Sequence, residues 1–447
     1  DELAARDERL ARQERELAEL RQAVAALTAR VGELTALLGG DENPAPPSGS
    51  RSGMPGHRAT QTPARTPRRR TPRARGVGRR RMTPTARVVH AVGQCPDCGT
   101  PLAGGTVKRT REVIDLPPPR ITVTEHVYLE RRCPWCGRRC VPSPQLRQQV
   151  TGQGRLGHGL TSLIAVLREE ARVPVRTIQS LLTTLTGLRL SVGAISGASQ
   201  RLAARAEPLV TDITTAIRAS PVVHLDETGW RESGRNGYVW TASTPAQRLF
   251  CHGTRQKAMV ATILGADFNG VVVSDFYAAY TGDEREHQYC WAHLLRDIHE
   301  LVARHPADPV VAGWADRVGA LFAQAQAGAA GDPRARWAVR RAVQADLRHL
   351  CLPWAEVAVP QRPLCARILK HLPELFTFVT EPAVPATNNA AERSLRHLVV
   401  ARKISGGTRS PTGTATRMIL ASVFGTWRAQ GRNPYRESLT LLASPQV

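Results

Sequence analysis

Three acidic residues stand where a fold could bring them together. Asp226 follows the short apolar run Pro221-Val-Val-His-Leu225, and Asp275 follows a second, Gly270-Val-Val-Val-Ser274. Each run reads as a buried strand with an acid at its carboxyl end. Between them, residues 238–252 read as a hairpin and 256–265 as a helix. Acids that close neighbouring central strands point at one spot, where two divalent cations, Mg2+ (or Mn2+), can be clamped. A helix supplies the third: in Asn388-Asn-Ala-Ala-Glu392, either Asn388 or Asn389 can cap, and Glu392 lies in the first turn or two. The chemistry that such a site suits is attack on a phosphodiester. One ion activates water, and the other stabilises the leaving 3′ oxygen. Carboxylates that hold ions in this way need no unusual pKa. Taken singly, each acid has a plainer reading. Asp226 suits a turn, Asp275 a cap for the segment after it, and Glu392 an i, i+4 partner of Arg396. Glu227, next to Asp226, competes for the first position.

A second set of residues suits a different metal. Cys95-Pro-Asp-Cys98-Gly and Cys133-Pro-Trp-Cys136-Gly each set two thiolates around a tight glycine turn. Two such knuckles make a tetrahedral four-cysteine site for structural Zn2+, with free thiols or a redox pair as the alternative. Cys140 is an extra thiol that can compete as a ligand. Alternation over 106–116 and 120–132 predicts short strands between the knuckles. Cys290-Trp-Ala-His293 reads either as part of a zinc site, with His287 nearby, or as a packed cysteine with a structural histidine.

The elements that must position these groups occupy a chain of 447 residues, enough for two to four domains. A hydrophobic fraction of 42% supports a sizeable core. Lys plus Arg number 61 against 38 Asp plus Glu, a formal charge of +23 that favours a polyanionic partner. Nine cysteines, four of them in C-x-x-C pairs, with no secretion signal at the amino terminus, point to metal in a reducing, cytoplasmic setting. The chain does not begin with Met, so a short leader can be missing. No apolar run reaches the ~20 residues of a membrane span, so no membrane association is expected.

Leu3, Leu10, Leu17, Val24, Val31 and Leu38 recur every seven residues, joined by Leu20, Leu27 and Leu34. This predicts a coiled coil over 1–40 and hence a homodimer or higher multimer, against a lone amphipathic helix. Earlier seam positions fall on Arg6 and Gln13, so that end should fray. Residues 41–90 read as a disordered Arg/Pro-rich basic linker. Twelve Arg and no acid lie between Asn43 and Pro96, including Arg68, Arg69, Arg70, Arg79, Arg80 and Arg81. Such a block binds phosphates without sequence preference or serves as a spacer. Residues 91–145 form the expected zinc ribbon. Residues 150–218 read as helices, with a turn at 188–191 that suits either a DNA-binding helix-turn-helix or a plain bundle.

Several blocks together resemble the DDE transposases of the insertion-sequence 66 family. They are the zipper-like start, the paired C-x-x-C finger, His224-Leu-Asp-Glu-Thr228, the segments 272–280 and 289–297, Asn388 to Arg396 followed by Ala401-Arg402-Lys403, and Asn433-Pro-Tyr-Arg-Glu-Ser-Leu439. The resemblance implies an α/β RNase H-like core over 219–280 and 386–430, with a helical insertion at 281–385 and a tail at 431–447. It implies the catalytic triad Asp226, Asp275 and Glu392, and His293 near the scissile phosphate or a flipped base. It implies a protein that binds element ends, cleaves them by metal-assisted hydrolysis and joins the 3′-OH ends to target DNA. Its partner would be double-stranded DNA, with helper proteins of the same element possible. Arg393, Arg396, Arg402 and Lys403 would hold phosphates near Glu392, or else form a solvated face. The family usually continues after this point with an aromatic-containing segment, whereas residues 404–413 read ISGGTRSPTG, predicting a looser or altered loop. Two alternatives stay open: a non-catalytic, inactive or domesticated DNA-binding relative, and a nuclease that cuts without joining. The intact triad speaks against the first.

Overall fold

The computed structural model describes residue 22 and residues 83–142, 146, 149–150, 154–280 and 285–444. The coiled-coil seam and the Arg runs at 68–70 and 79–81 lie outside the described residues. The chain divides into two units, 1–77 and 78–447, and everything below concerns the second.

In the cysteine region only two short strands form, β1 (Arg131–Arg132) and β2 (Arg139–Cys140), paired antiparallel around the second knuckle. The strands expected over 106–116 and 120–132 are otherwise absent. Alternation becomes a strand when one face has something to cover. Here Val113, Leu116 and Val123 are 78%, 79% and 88% exposed.

Three helices follow as expected: α1 (His158–Glu169), α2 (Val175–Thr186) and α3 (Val192–Arg218). Gly187, in the left-handed region at φ 73°, ends α2, and Ser191 Oγ caps α3 by accepting from Ala194 N at 3.0 Å. Leu202, Ala206, Ile213 and Ile217 of α3 pack on a five-stranded sheet. Its strands are β3 (Val222–Glu232), β4 (Arg235–Ser243), β5 (Arg248–Gly253), β6 (Val271–Ser274) and β7 (His287–Tyr289). The order is β5-β4-β3-β6-β7, antiparallel across β3, β4 and β5 and parallel from β3 through β6 to β7. Helix α4 (Ala258–Leu264) makes the crossover from β5 to β6. A mixed sheet of this kind with helices around it is consistent with an RNase H-like core.

Helices α5 (Trp291–Arg304), α6 (Pro309–Gly328), α7 (Pro333–Cys351), α8 (Arg362–Lys370) and α9 (Thr377–Thr380) come next. They bury a core of their own around Trp291, Trp314, Leu347 and Phe376, continuous with Val222 and Val273 of the sheet. Then come α10 (Asn389–Ser405), α11 (Pro411–Ala429) and α12 (Pro434–Ala443). Among the described residues no helix is long and apolar enough to cross a membrane.

Four expectations are corrected. β3 continues six residues beyond Asp226, because its tail pairs with β4 after the parallel pairing stops at His224–Val273. β7 falls inside the segment read as a purely helical insertion. The carboxyl-terminal segment is not a bare tail: α12 buries Leu442 in the core, and Leu441 O accepts from Arg205 at 3.1 Å. The loop after α10 is pinned rather than loose. Thr408 N donates to Arg231 O, and Thr408 O accepts from Ser233 N, both at 2.9 Å. Gly407, at φ 106°, lies so close that a Cβ would overlap the Arg231 carbonyl.

Candidate active site

Strand geometry sorts the acids. Along β3 successive side chains alternate between faces. Val223 and Leu225 join the core beneath α3, whereas His224, Thr228 and Trp230 meet α10 and its neighbours. Asp226 therefore lies on the α10 face and Glu227 on the other. β6 runs parallel in register with β3 as far as His224 beside Val273, and Asp275, the residue after β6, is near enough for its charge to act on Asp226. Val271 and Val273 share a core with Val222, so these alternate residues of the two strands face the same way. Glu392 enters the Asp226 face from the first turn of α10.

Glu227 is otherwise engaged. Its Oε1 accepts from Arg255 Nη2 at 2.9 Å and Nε at 3.2 Å, and its Oε2 accepts from Tyr280 OH at 2.6 Å. Arg255 lies 3.9 Å from the centre of the Tyr277 ring, which holds the guanidinium in place. Asp226 Oδ1 accepts only from the next backbone amide, at 2.9 Å. Asp275 Oδ1 accepts from Tyr277 N at 2.9 Å, the local turn contact that its plainer reading predicts.

Asp226 does have an unusual pKa. Burial, and then the charges of Glu227, Asp275 and Glu392, push its carboxyl up to about 8. Carboxylates crowded in this way favour an incoming cation. Glu392 Oε1 is buried without a hydrogen-bond partner, and its ion pair is with His293 Nε2 at 3.6 Å rather than with Arg396. The Cys290 side chain, aided by the Asp275 and Glu392 charges, raises the His293 pKa against the pull of burial. The donor set therefore suits a hard divalent ion. Among the described residues, however, no three His, Cys, Asp or Glu groups are gathered closely enough to hold one.

Asn388, read from sequence only as a possible cap, and His224, given no role there, join α10 to the sheet. Asn388 occupies the cap position of α10, yet its side chain makes no cap bond. Instead Nδ2 donates to Leu225 O at 2.7 Å, and Oδ1 accepts from His224 Nδ1 at 3.0 Å. Its backbone N donates to Cys290 Sγ at 3.0 Å, and Cys290 N donates to Ser274 O at 2.8 Å. Cys290 is fully buried and takes the packed-cysteine role. Their signal in the sequence was proximity: each stands within a few residues of an acid or of His293. Arg402 is likewise partly committed, its Nη1 donating to Thr228 Oγ1 at 3.1 Å and to Gly229 O. Arg393, Arg396 and Lys403 are exposed.

The two cysteine knuckles are near-copies of each other. Cys95 N donates to Thr100 O and Gly99 N to Cys95 O; Cys133 N donates to Arg138 O and Gly137 N to Cys133 O, all at 2.9 Å. Gly99 and Gly137 both sit at φ 69°. Hydrogen bonds from Thr100 lower the Cys98 pKa, and backbone bonds from Cys136 and Trp135 lower that of Cys133. Each half thus has thiolate-favouring geometry, as a zinc ligand pair requires. Residues 153–416, more than half of the chain, match the model described as Transposase IS66 family.

The chain belongs to the IS66 family of transposases.

Residues 93–137, which span both knuckles, match the zinc-finger binding domain of transposase IS66. The chain is also similar to the uncharacterized protein y4jD of Sinorhizobium fredii, 23% identical over 359 residues that cover 73% of this chain and 70% of that protein. A second protein of that organism, the uncharacterized y4jO, is 37% identical over 68 residues, 15% of this chain and 21% of its own. Asp226, Asp275, His293, Asn388 and Glu392 all fall inside the IS66 transposase match, whereas α12 lies beyond it.

Proposed function

We propose that this IS66 transposase binds the ends of an insertion sequence, cleaves them by phosphodiester hydrolysis and joins the freed 3′-OH ends to target DNA. The observation that supports this reading best is the nearness of Asp275 and Glu392 to Asp226, whose carboxyl both charges act on, with Glu227 held by Arg255 and Tyr280. Mg2+ or Mn2+, were the three acids drawn in around it, would supply Lewis-acid activation of the attacking oxygen and charge neutralisation at the leaving one. The chain's own residues do the rest. Asn388 and Arg402 keep Glu392 over the strands. His293, beside Glu392, faces the scissile phosphate or a base next to the cut. Arg393, Arg396 and Lys403 meet flanking phosphates. Cys95, Cys98, Cys133 and Cys136 would hold one Zn2+ and stiffen the finger.

Asp226→Asn, Asp275→Asn and Glu392→Gln should each lower strand cleavage by at least about 10³-fold while leaving DNA affinity intact. Cleavage by Asp226→Asn in Mg2+ or Mn2+ would sink the triad and promote Glu227. A wild-type protein that binds element ends yet never cuts them would be a DNA-binding relative. Cutting without joining would make it a nuclease.

A further inference from the structure

A cavity of about 80 Å3 lies away from the acids, between the α1–α2 turn, the end of α10 and the face of α11. Its floor includes Arg417, only 6% exposed. Arg417 Nη1 donates to Glu169 Oε1 at 2.9 Å and to Arg168 O at 3.2 Å. Its Nε and Nη2 are buried with no hydrogen-bond partner. Buried donors are nearly always satisfied, so two orphans on one guanidinium call for an acceptor.

Three further features converge on the same space. Arg168 and Arg172 both line it. Arg172 sits at φ 59°, a conformation that arginine seldom adopts and that the surrounding structure must enforce. α2 begins at the lip, where Val175 lines the cavity and Pro174 provides no side-chain cap. Its first turn carries no acid, so no carboxylate of that turn competes for the free amides. Glu169 is fully buried and held by Arg417, and Glu170 pairs with Arg428 at 3.2 Å. The cavity lining itself holds three guanidiniums, of Arg168, Arg172 and Arg417, and no carboxylate, although Arg168 also lies 3.8 Å from Glu169. The mouth reaches solvent beside Ile404, which is 51% exposed. The volume is several times the roughly 10–15 Å3 that one water needs, so a tetrahedral oxyanion fits.

The geometry points to a binding site for one phosphate group, held by Arg172, Arg417 and the amino-terminal amides of α2. Forked guanidiniums together with amides suit a phosphate, which accepts from several directions at once. Ser405 at the lip lies thirteen residues after Glu392 on α10, about 20 Å along the helix at ~1.5 Å per residue. A backbone phosphate seated here would lie about six nucleotides from the acids, at ~3.4 Å per nucleotide of one strand. The site would then set the register of the duplex against Glu392. This last step rests on the transposase reading, whereas the phosphate site itself does not.

The test uses the full chain and two probes, inorganic phosphate and a random-sequence duplex. Arg172→Ala alters only the lip, and Arg417→Lys keeps a cation opposite Glu169. Phosphate, compared with chloride at equal ionic strength, should raise the wild-type melting temperature saturably, and Arg172→Ala should lose that rise. On the duplex, each lost contact should reduce the slope of log affinity against log salt by about 0.9. Loss of the phosphate effect with an unchanged salt slope would keep the site and assign it to a free oxyanion rather than DNA. A phosphate effect that is absent, or equal in wild type and Arg172→Ala, overturns the proposal even if Arg417→Lys fails to fold. None of the three acids lines this cavity, so failure here and failure of the cleavage reading remain separate results.

Discussion

Asp226 is the residue on which burial and like charge act most strongly in this sheet. Its carboxyl is raised from 3.8 to about 8. A carboxyl that binds its proton more tightly when folded contributes stability in full below about pH 4, and that contribution is lost as pH rises to about 8. Asp226→Asn has no such loss. In buffer free of divalent ions the variant should melt with the wild type near pH 4 and above it near pH 8.5, by about 1–3 kcal/mol. Melting curves across that range check it, and a variant that is weaker at every pH would discard the like-charge account. Adding Mg2+ should stabilise the wild type more than the variant. The acid itself was legible because it follows a buried apolar run. Which of the adjacent Asp226 and Glu227 turns toward α10 was not. The run Val222–Leu225 is buried on both faces and shows no alternation from which to read a side.

At the scale of elements, a site depends on how well a helix is held against a strand. Asn388 makes three such contacts, to Leu225 O, His224 and Cys290, and is 1% exposed. Asn388→Ala would orphan Leu225 O and His224 Nδ1. It should cost about 1–3 kcal/mol of stability and lower cleavage by about 10²-fold while DNA affinity is retained. Activity equal to wild type at a temperature where the variant is fully folded would show that α10 needs no such grip. The hairpin and the crossover helix were legible as apolar patterns, and α10 from the asparagine pair that opens it. β7 was hidden because His287-Gln288-Tyr289 is three residues long and lacks β-branched residues. The opposite error arose over 106–130, where the alternation is real but the side chains have no surface to cover.

At the scale of the whole molecule, two predictions concern the cysteine knuckles and the heptad seam. Metal analysis of the purified chain should give one zinc. Cys133→Ser should abolish it, and Cys290→Ser should keep it, since Cys290 is buried and its sulfur accepts from Asn388. Two zincs per chain would require a second centre. The heptad seam predicts a dimer or larger assembly. With roughly 1.5–3 kcal/mol per buried seam side chain, Leu20→Lys combined with Leu27→Lys should dissociate it. Light scattering reads the mass, and an unchanged mass would place subunit contacts elsewhere. The paired knuckles were legible because they are a one-dimensional pattern, and the heptad seam and basic arm, patterns of the same kind, lie outside the described residues. The phosphate-sized cavity was not, since Arg172 and Arg417 are brought together only by the packing of α1 and α11.

The contacts that close the site also carry a consequence for the time course of folding. His224–Asn388, Thr228–Arg402 and Trp230–Thr408 join residues 164, 174 and 178 positions apart. Bringing such distant segments together in a slack chain costs entropy that grows with the logarithm of the loop, and it slows folding. The helices of 291–380 shorten that search. Once their core forms, Tyr289 N bonds Glu374 O at 3.1 Å and Trp291 N bonds Ala386 O at 3.0 Å. Those two bonds make the end of β7 and the start of α10 neighbours. The helical segment thereby acts as an internal splint, since with it folded the loop that α10 must close onto the sheet is far shorter than the count of residues implies.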